Sequence, residues 1–208
     1  MLEVYILNMV SIKFEQAELL PKRYYSGEIH ISEGNLTKIC GDNGVGKTTL
    51  FKYCQFNQKK YFKEKVIFLD QKPLVTLYDY SLSEVKKLLS QYWKEYLVPD
   101  AEKLWDKMIS DFRLNSQHKV SYLSGGQNQL LKLLLISIQQ TQIFFLDEPF
   151  TALDNTMGTW WKNWIEQKLA ENKTIVVIDH SSKLNTLSQV TYSLELESMD
   201  VIGIKKLS

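Results

Sequence analysis

Residues 41–49 read Gly41-Asp42-Asn43-Gly44-Val45-Gly46-Lys47-Thr48-Thr49. Gly41, Gly46, Lys47 and Thr48 satisfy the spacing glycine, four residues, glycine, lysine, threonine. An apolar run, Leu36 to Cys40, precedes the stretch, and a helix-like segment starts near Thr48. Strand, tight loop and helix in that order are what a phosphate-binding loop requires. The glycines let the backbone curl so that successive N–H groups point inward. Together with the positive end of the following helix, those groups receive phosphate oxygens. Lys47 adds a full charge at the outer phosphates, and the Thr48 hydroxyl is a ligand for Mg²⁺.

The rest of the chain bounds what such a loop can serve. At 208 residues there is room for one large domain or two small lobes. A net charge of +1 gives no basis for an extended nucleic-acid surface, so no nucleic-acid partner is expected. Cys40 and Cys54 are too few for a disulfide framework and read as small buried residues in a reducing compartment. The opening residues have neither a basic n-region nor a cleavage pattern. No apolar run approaches the roughly 20 residues that span a bilayer. A soluble chain is expected, one that would serve a membrane only through a partner.

Short apolar runs without alternation read as buried parallel strands at Leu36 to Cys40, Val66 to Leu69, Ile143 to Leu146 and Thr174 to Ile178. Val4 to Leu7 and Glu28 to Ile31 read as earlier strands, Tyr192 to Leu196 and Val201 to Ile204 as a final pair. Helical stretches fall at about 48–56, 82–96, 100–112, 125–140 and 156–171. Alternation of the two implies an α/β sheet with crossover connections. The segment 74–122 has helices and no convincing strand, and reads as a helical lobe inserted into that core.

Two further constellations accompany the loop. Ile143 to Leu146 ends in Asp147-Glu148. A carboxylate at the carboxyl end of a parallel strand can hold Mg²⁺ beside a phosphate loop, and its neighbour suits general-base work on water. Leu123-Ser124-Gly125-Gly126-Gln127 places a serine and two glycines at a helix entry, a second anion-receptive N-terminus. One phosphate loop does not need two such sites on its own chain. The economical reading is that the second serves a nucleotide held mostly by another subunit.

With these residues in view, the chain resembles the ATP-binding cassette (ABC) ATPase family over most of its length. Gly41 to Thr49 looks like Walker A, Gln71 like the Q-loop glutamine, and Leu123 to Gln127 like the unsubstituted signature. Ile143 to Asp147 looks like Walker B with Glu148 as the catalytic glutamate. Thr151 to Asp154 looks like the D-loop, and His180 like the H-loop histidine. The resemblance implies a P-loop NTPase with a RecA-like parallel core, a reduced antiparallel β lobe and an inserted helical lobe. It makes 1–208 a single domain, with 1–73 and 123–208 as the core and 74–122 as the helical lobe. It implies a head-to-tail homodimer or heterodimer with ATP between Walker A of one subunit and the signature of the other. Lys47 and the loop amides would hold the β- and γ-phosphates, while Thr48, Gln71 and Asp147 organise Mg²⁺. Glu148 would polarise water and His180 would contact the γ-phosphate. Ser124, Gly125, Gly126 and Gln127 would act across the dimer, and Asp154 would couple the two sites. The expected setting is the cytoplasmic face of a membrane, reached through a separate transporter subunit.

The chain departs from the family pattern in places. Arginines usual after the signature are replaced by Leu130 and Leu135, and Lys132 is placed to supply part of that charge. The short stretch Phe56 to Lys65, with lysines at 59, 60, 63 and 65, replaces a hairpin and reads as a solvated loop. The adenine platform is read as Phe14, by its spacing, with Tyr24 and Tyr25 nearer the loop. Tyr78, Tyr80 and Tyr92 to Tyr96 mark an aromatic surface in the helical lobe. A soluble cassette acting on ribosomes or nucleic acid is the alternative. A degenerate, regulatory cassette is disfavoured by the intact Lys47, Asp147, Glu148 and His180.

Overall fold

The computed structural model describes residues 9–20, 23–72, 74–151, 153–180, 184–198 and 200–207, and the chain divides into two compact units. The first comprises 1–70, 141–149 and 165–208; the second comprises 71–140 and 150–164. The expected strand at Val4 to Leu7 falls wholly outside the described residues.

The first unit carries the whole sheet. Its strands are β1 (Met9–Leu20), β2 (Arg23–Ser32), β3 (Leu36–Gly41), β4 (Val66–Leu69), β5 (Ile143–Asp147), β6 (Thr174–Ile178), β7 (Val190–Leu196) and β8 (Val201–Lys206), in the order β1-β2-β8-β7-β3-β6-β5-β4. Pairing is antiparallel in β1/β2 and β7/β8 and parallel elsewhere. This is the α/β P-loop NTPase architecture, with antiparallel pairing confined to the β1, β2, β8, β7 side.

The non-alternating runs are buried, as strands covered on both faces must be. All of β6 is buried, as are Phe144, Phe145 and Leu146 of β5. Around Phe145 four aromatic rings interlock. Phe68 stacks on it at 4.8 Å, Phe62 meets its edge at 5.5 Å, and Phe51 meets Phe68 edge-on at 5.5 Å. Phe51 comes from α1 (Lys47–Phe56), whose buried residues Lys47, Leu50, Phe51 and Cys54 form one stripe at helical spacing. The helix following the phosphate loop is thereby anchored to the strand that ends in Asp147.

Two elements differ from the sequence expectation. The first strand pair is longer than the short runs read from sequence, because Ile12 and Phe14 alternate inward with exposed Lys13 and the hairpin continues past two register shifts. A single helical turn, α2 (Gln58–Tyr61), stands in the lysine run read as loop; Lys59 and Lys60 remain exposed.

The second unit contains α3 (Leu82–Tyr92), α4 (Ala101–Asp111), α5 (Gly125–Ser137) and the first part of α6 (Asn155–Ala170). Leu82, Val85 and Leu89 line the buried face of α3, and Ala101, Trp105, Met108 and Ile109 that of α4. Ser81 and Glu84 close a capping box on α3. The helix α5 is apolar nearly all round, with Leu130, Leu131, Leu133, Leu134 and Ile136 buried, the pattern of a helix enclosed on every side.

Truncating the centre of the aromatic cluster should be costly. Phe145→Ala is expected to lower unfolding free energy by about 3–5 kcal/mol, read from urea denaturation. A loss under about 1 kcal/mol would show that the cluster is not the anchor of the sheet.

Candidate functional site

The register of the parallel strands brings three chain segments to one sheet edge. Ile178 pairs with both Ile39 and Asp147. The residues that follow are therefore Gly41 and the phosphate loop after β3, Glu148 after β5, and Asp179-His180 after β6. Loops at the carboxyl ends of parallel strands are where such sheets bind ligands. A cleft of about 850 Å³ lies there, lined by residues 40–45, His180 and residues 193–196.

The loop itself is held by side chains the motif does not name. Gly46 has φ 112°, in the left-handed region that favours glycine, and the Tyr25 hydroxyl donates to its carbonyl at 2.8 Å. A side chain at Gly46 would collide with that hydroxyl. At Gly41, φ is 149° and an added Cβ would sit 2.6 Å from the Leu194 carbonyl. Lys47 is 6% exposed, and its ammonium donates to the carbonyls of Gly41 at 2.8 Å and Asp42 at 2.9 Å. In this state the lysine closes the loop onto itself. Val45 packs its side chain into the core, leaving only its backbone for a ligand. Asn43, Gly44 and Thr48 are exposed, and Thr49 is half-buried.

Asp147 is 2% exposed, and neither carboxylate oxygen has a hydrogen-bond partner. Its pKa is pushed up to about 6, first by burial and further by the charges of Glu148 and Asp70; the Thr48 hydroxyl and Lys47 are near enough to oppose the rise. A desolvated carboxylate whose neighbouring ammonium, Lys47, is spent on the loop carbonyls, next to a threonine hydroxyl at the head of a helix, fits a hard divalent cation. Among the described residues no group of three or more His, Cys, Asp or Glu could hold a metal. Such a cation would therefore draw much of its shell from phosphate and water, as Mg²⁺ does in nucleotide sites.

Glu148 adopts φ 48°, an uncommon backbone for a non-glycine residue. Its N–H donates to the Ile178 carbonyl at 2.8 Å, which fixes this turn against β6. Its Oε1 lies 3.9 Å from Nδ1 of His180, and Oδ1 of Asp179 lies 3.9 Å from the same nitrogen. The imidazole is 59% exposed and the Glu148 side chain 16%, so the histidine faces solvent beside a sheltered carboxylate.

In the second unit, Ser124 caps α5: Gln127 N donates to its hydroxyl at 3.2 Å and Ser124 N donates to the Gln127 side chain at 3.0 Å. Ser124 and Gly125 are exposed, while Gly126 and Gln127 are half-buried. Asp154 caps α6, accepting from Met157 N at 2.7 Å. Gln71 is exposed in the same unit.

Phe14 requires correction. It is 2% exposed, with its ring against Tyr25 at 6.2 Å and Tyr53 at 5.4 Å. A ring enclosed in the core presents no face to a base. Its spacing from Asn8, after the first expected strand, gave only its distance along the chain, whereas the inward parity it shares with Ile12 decides its role. Tyr25 was read only as an aromatic nearer the loop than Phe14, not as a support of Gly46, and the 193–196 strand end was not read as a site element. No local signal marks them, because only the strand order, which sets Leu194 opposite Gly41, brings β7 alongside the loop.

This fold and loop define a P-loop ATPase. The profile of the ABC transporter family matches residues 26–151, more than half of the chain. The chain belongs to that family, as an ATP-binding subunit. It is 28% identical over 172 residues to the manganese transport system ATP-binding protein MntB of Listeria innocua, covering 73% of this chain and 71% of that one. It is 24% identical over 212 residues to the lipoprotein-releasing system ATP-binding protein LolD of Rickettsia prowazekii, covering 92% and 95%. Among solved structures, an ATP-binding subunit of an ABC transporter aligns with TM-score 0.72 at 14% identity, over 96% of this chain and 90% of that one. An RNase-L inhibitor aligns with TM-score 0.69 at 20% identity, over 95% of this chain but 38% of that one.

Asp147 generates a prediction about stability. Its folded pKa, about 6, lies above its ordinary value of 3.8. The folded state therefore holds the proton more tightly than the unfolded one. The carboxylate costs nothing below about pH 4 and becomes destabilising as pH rises through 6. Asp147→Asn should match the wild type at pH 4 and exceed it by about 3 kcal/mol at pH 7.5 in EDTA, read from urea midpoints. A wild type more stable than the variant at pH 7.5 would contradict a cation-seeking carboxylate.

Proposed function

We propose that this ATPase powers a transporter as a head-to-tail dimer that docks on a separate membrane subunit at the cytoplasmic face. No helix among the described residues is long and apolar enough to cross a membrane, so a membrane-spanning partner would carry the cargo. MntB and LolD are named for different cargoes, manganese and lipoprotein. What they share with this chain is the nucleotide machinery. The reading as a ribosome- or nucleic-acid-directed cassette has only a likeness of fold behind it.

The observation that carries the mechanism is the sheltered pair Asp147-Glu148 at the strand end beside the phosphate loop. Lys47 and the amides of residues 41–49 bind and orient the β- and γ-phosphates. Their positive charge opposes the negative charge that spreads over the transferring group. Thr48 and Asp147, with Gln71, would hold Mg²⁺, which supplies charge neutralisation on the phosphate oxygens when bound. Glu148 orients the attacking water and takes its proton at a carboxylate oxygen. His180, beside Glu148, contacts the γ-phosphate. Ser124 and Gly126 present the capped N-terminus of α5 to the nucleotide of the opposite subunit, and Asp154 joins the two sites.

Glu148→Gln keeps the shape and removes the base. Turnover should fall about 10²–10⁴-fold while ATP still binds. ATP should then hold the variant as a dimer on size-exclusion chromatography. A variant that hydrolyses at the wild-type rate would remove Glu148 as base, and one that stays monomeric with saturating ATP would count against the sandwich.

A further inference from the structure

Lys132 stands in the most apolar helix of the molecule and is 1% exposed. Its ammonium donates to the backbone carbonyl of Gln71 at 2.9 Å, across 61 residues of sequence. Local secondary structure does not enforce a contact at that separation; the side chain makes it. Gly125, Asn128, Gln129 and Lys132 share one face of α5, at helical spacings of three, four and seven residues. That face borders a hollow of about 470 Å³ that Gln71 also lines. A buried ammonium is tolerated only where acceptors surround it. A charge-assisted bond shielded from water is stronger than one at the surface.

The bonded residue has a particular place in the chain. Asp70 belongs to the first unit and Gln71 to the second, so the backbone enters the second unit at Gln71. Lys132 pins that entry point to the helix whose first turn is the signature sequence.

We propose that Lys132 is a positioning residue. It fixes Gln71 to the signature helix, so that Ser124, Gly126 and Gln71 shift together as one rigid body when nucleotide is engaged. The kinetic consequence rests on the roles given above to Gln71 and the signature; the tether itself does not.

The test uses Lys132→Met, which keeps length and removes the donor, and Lys132→Arg, which keeps donors. In Lys132→Met, amide exchange at residues 70–72 should quicken about 10-fold, the loss of one charge-assisted hydrogen bond, with α5 unchanged. Phosphate release should show kcat lowered about 10-fold and the KM for ATP within about twofold. Lys132→Arg should restore both. In a Gln71→Ala background, Lys132→Met should lower kcat no further. Unchanged exchange, a kcat loss that adds in full to that of Gln71→Ala, or an arginine that restores nothing would each overturn the proposal. Should Lys132→Met fail to fold, Lys132→Gln, too short to reach the carbonyl, carries the same measurements. A wild type without turnover would defeat the ATPase reading instead, and exchange would still decide the tether.

Discussion

Everything at this site depends on three parallel strands ending at one level. The pairing of Ile178 with Ile39 on one side and Asp147 on the other leaves no freedom in where the phosphate loop, the carboxylate pair and the histidine emerge. A slip of one residue in any of these strands would turn its buried side chains to the opposite face. The complete burial of β6 and the aromatic packing around Phe145 make that slip expensive. The helix α1 ties the loop to the same core through Phe51. Core packing is thus the reason the catalytic groups sit together.

Within that frame two charged groups occupy opposite situations. Lys47 satisfies its ammonium on the loop carbonyls of Gly41 and Asp42, so the loop keeps its shape with its own lysine as the filling. Asp147 has no such partner, and burial raises its pKa. The cationic half of the site is complete in itself, while the anionic half is strained toward a cation. Loop amides already aimed inward stabilise a developing phosphoryl charge without reorganising, whereas the carboxylate would contribute only through a cation bound to it. The strained backbone of Glu148, next in the chain, extends the same arrangement.

Much of this was legible in the sequence. The glycine-lysine loop, the apolar runs and the Asp147-Glu148 ending gave the strands, the crossover helices and the family resemblance, because each signal is local. What escaped was set by contacts distant in sequence. Phe14 read as an adenine platform because chain distance says nothing about the face a strand residue takes. Tyr25 and Leu194 reach the loop only through the order β8-β7-β3, which no local pattern encodes. The hairpin β1/β2 continues through two register shifts that break its alternation. Lys132 was read only as part of the charge of the arginines missing after the signature. Its role is a hydrogen bond to Gln71 made possible only when α5 is enclosed.

The central claim is that the loop and the strand-end carboxylates form one hydrolytic site. Steady-state phosphate release from ATP in Mg²⁺ at pH 7.5 tests it most directly, in wild type and Lys47→Ala side by side. Turnover in the wild type and a loss of at least about 100-fold in the variant are the predicted result. Equal phosphate release from the two proteins would contradict the account.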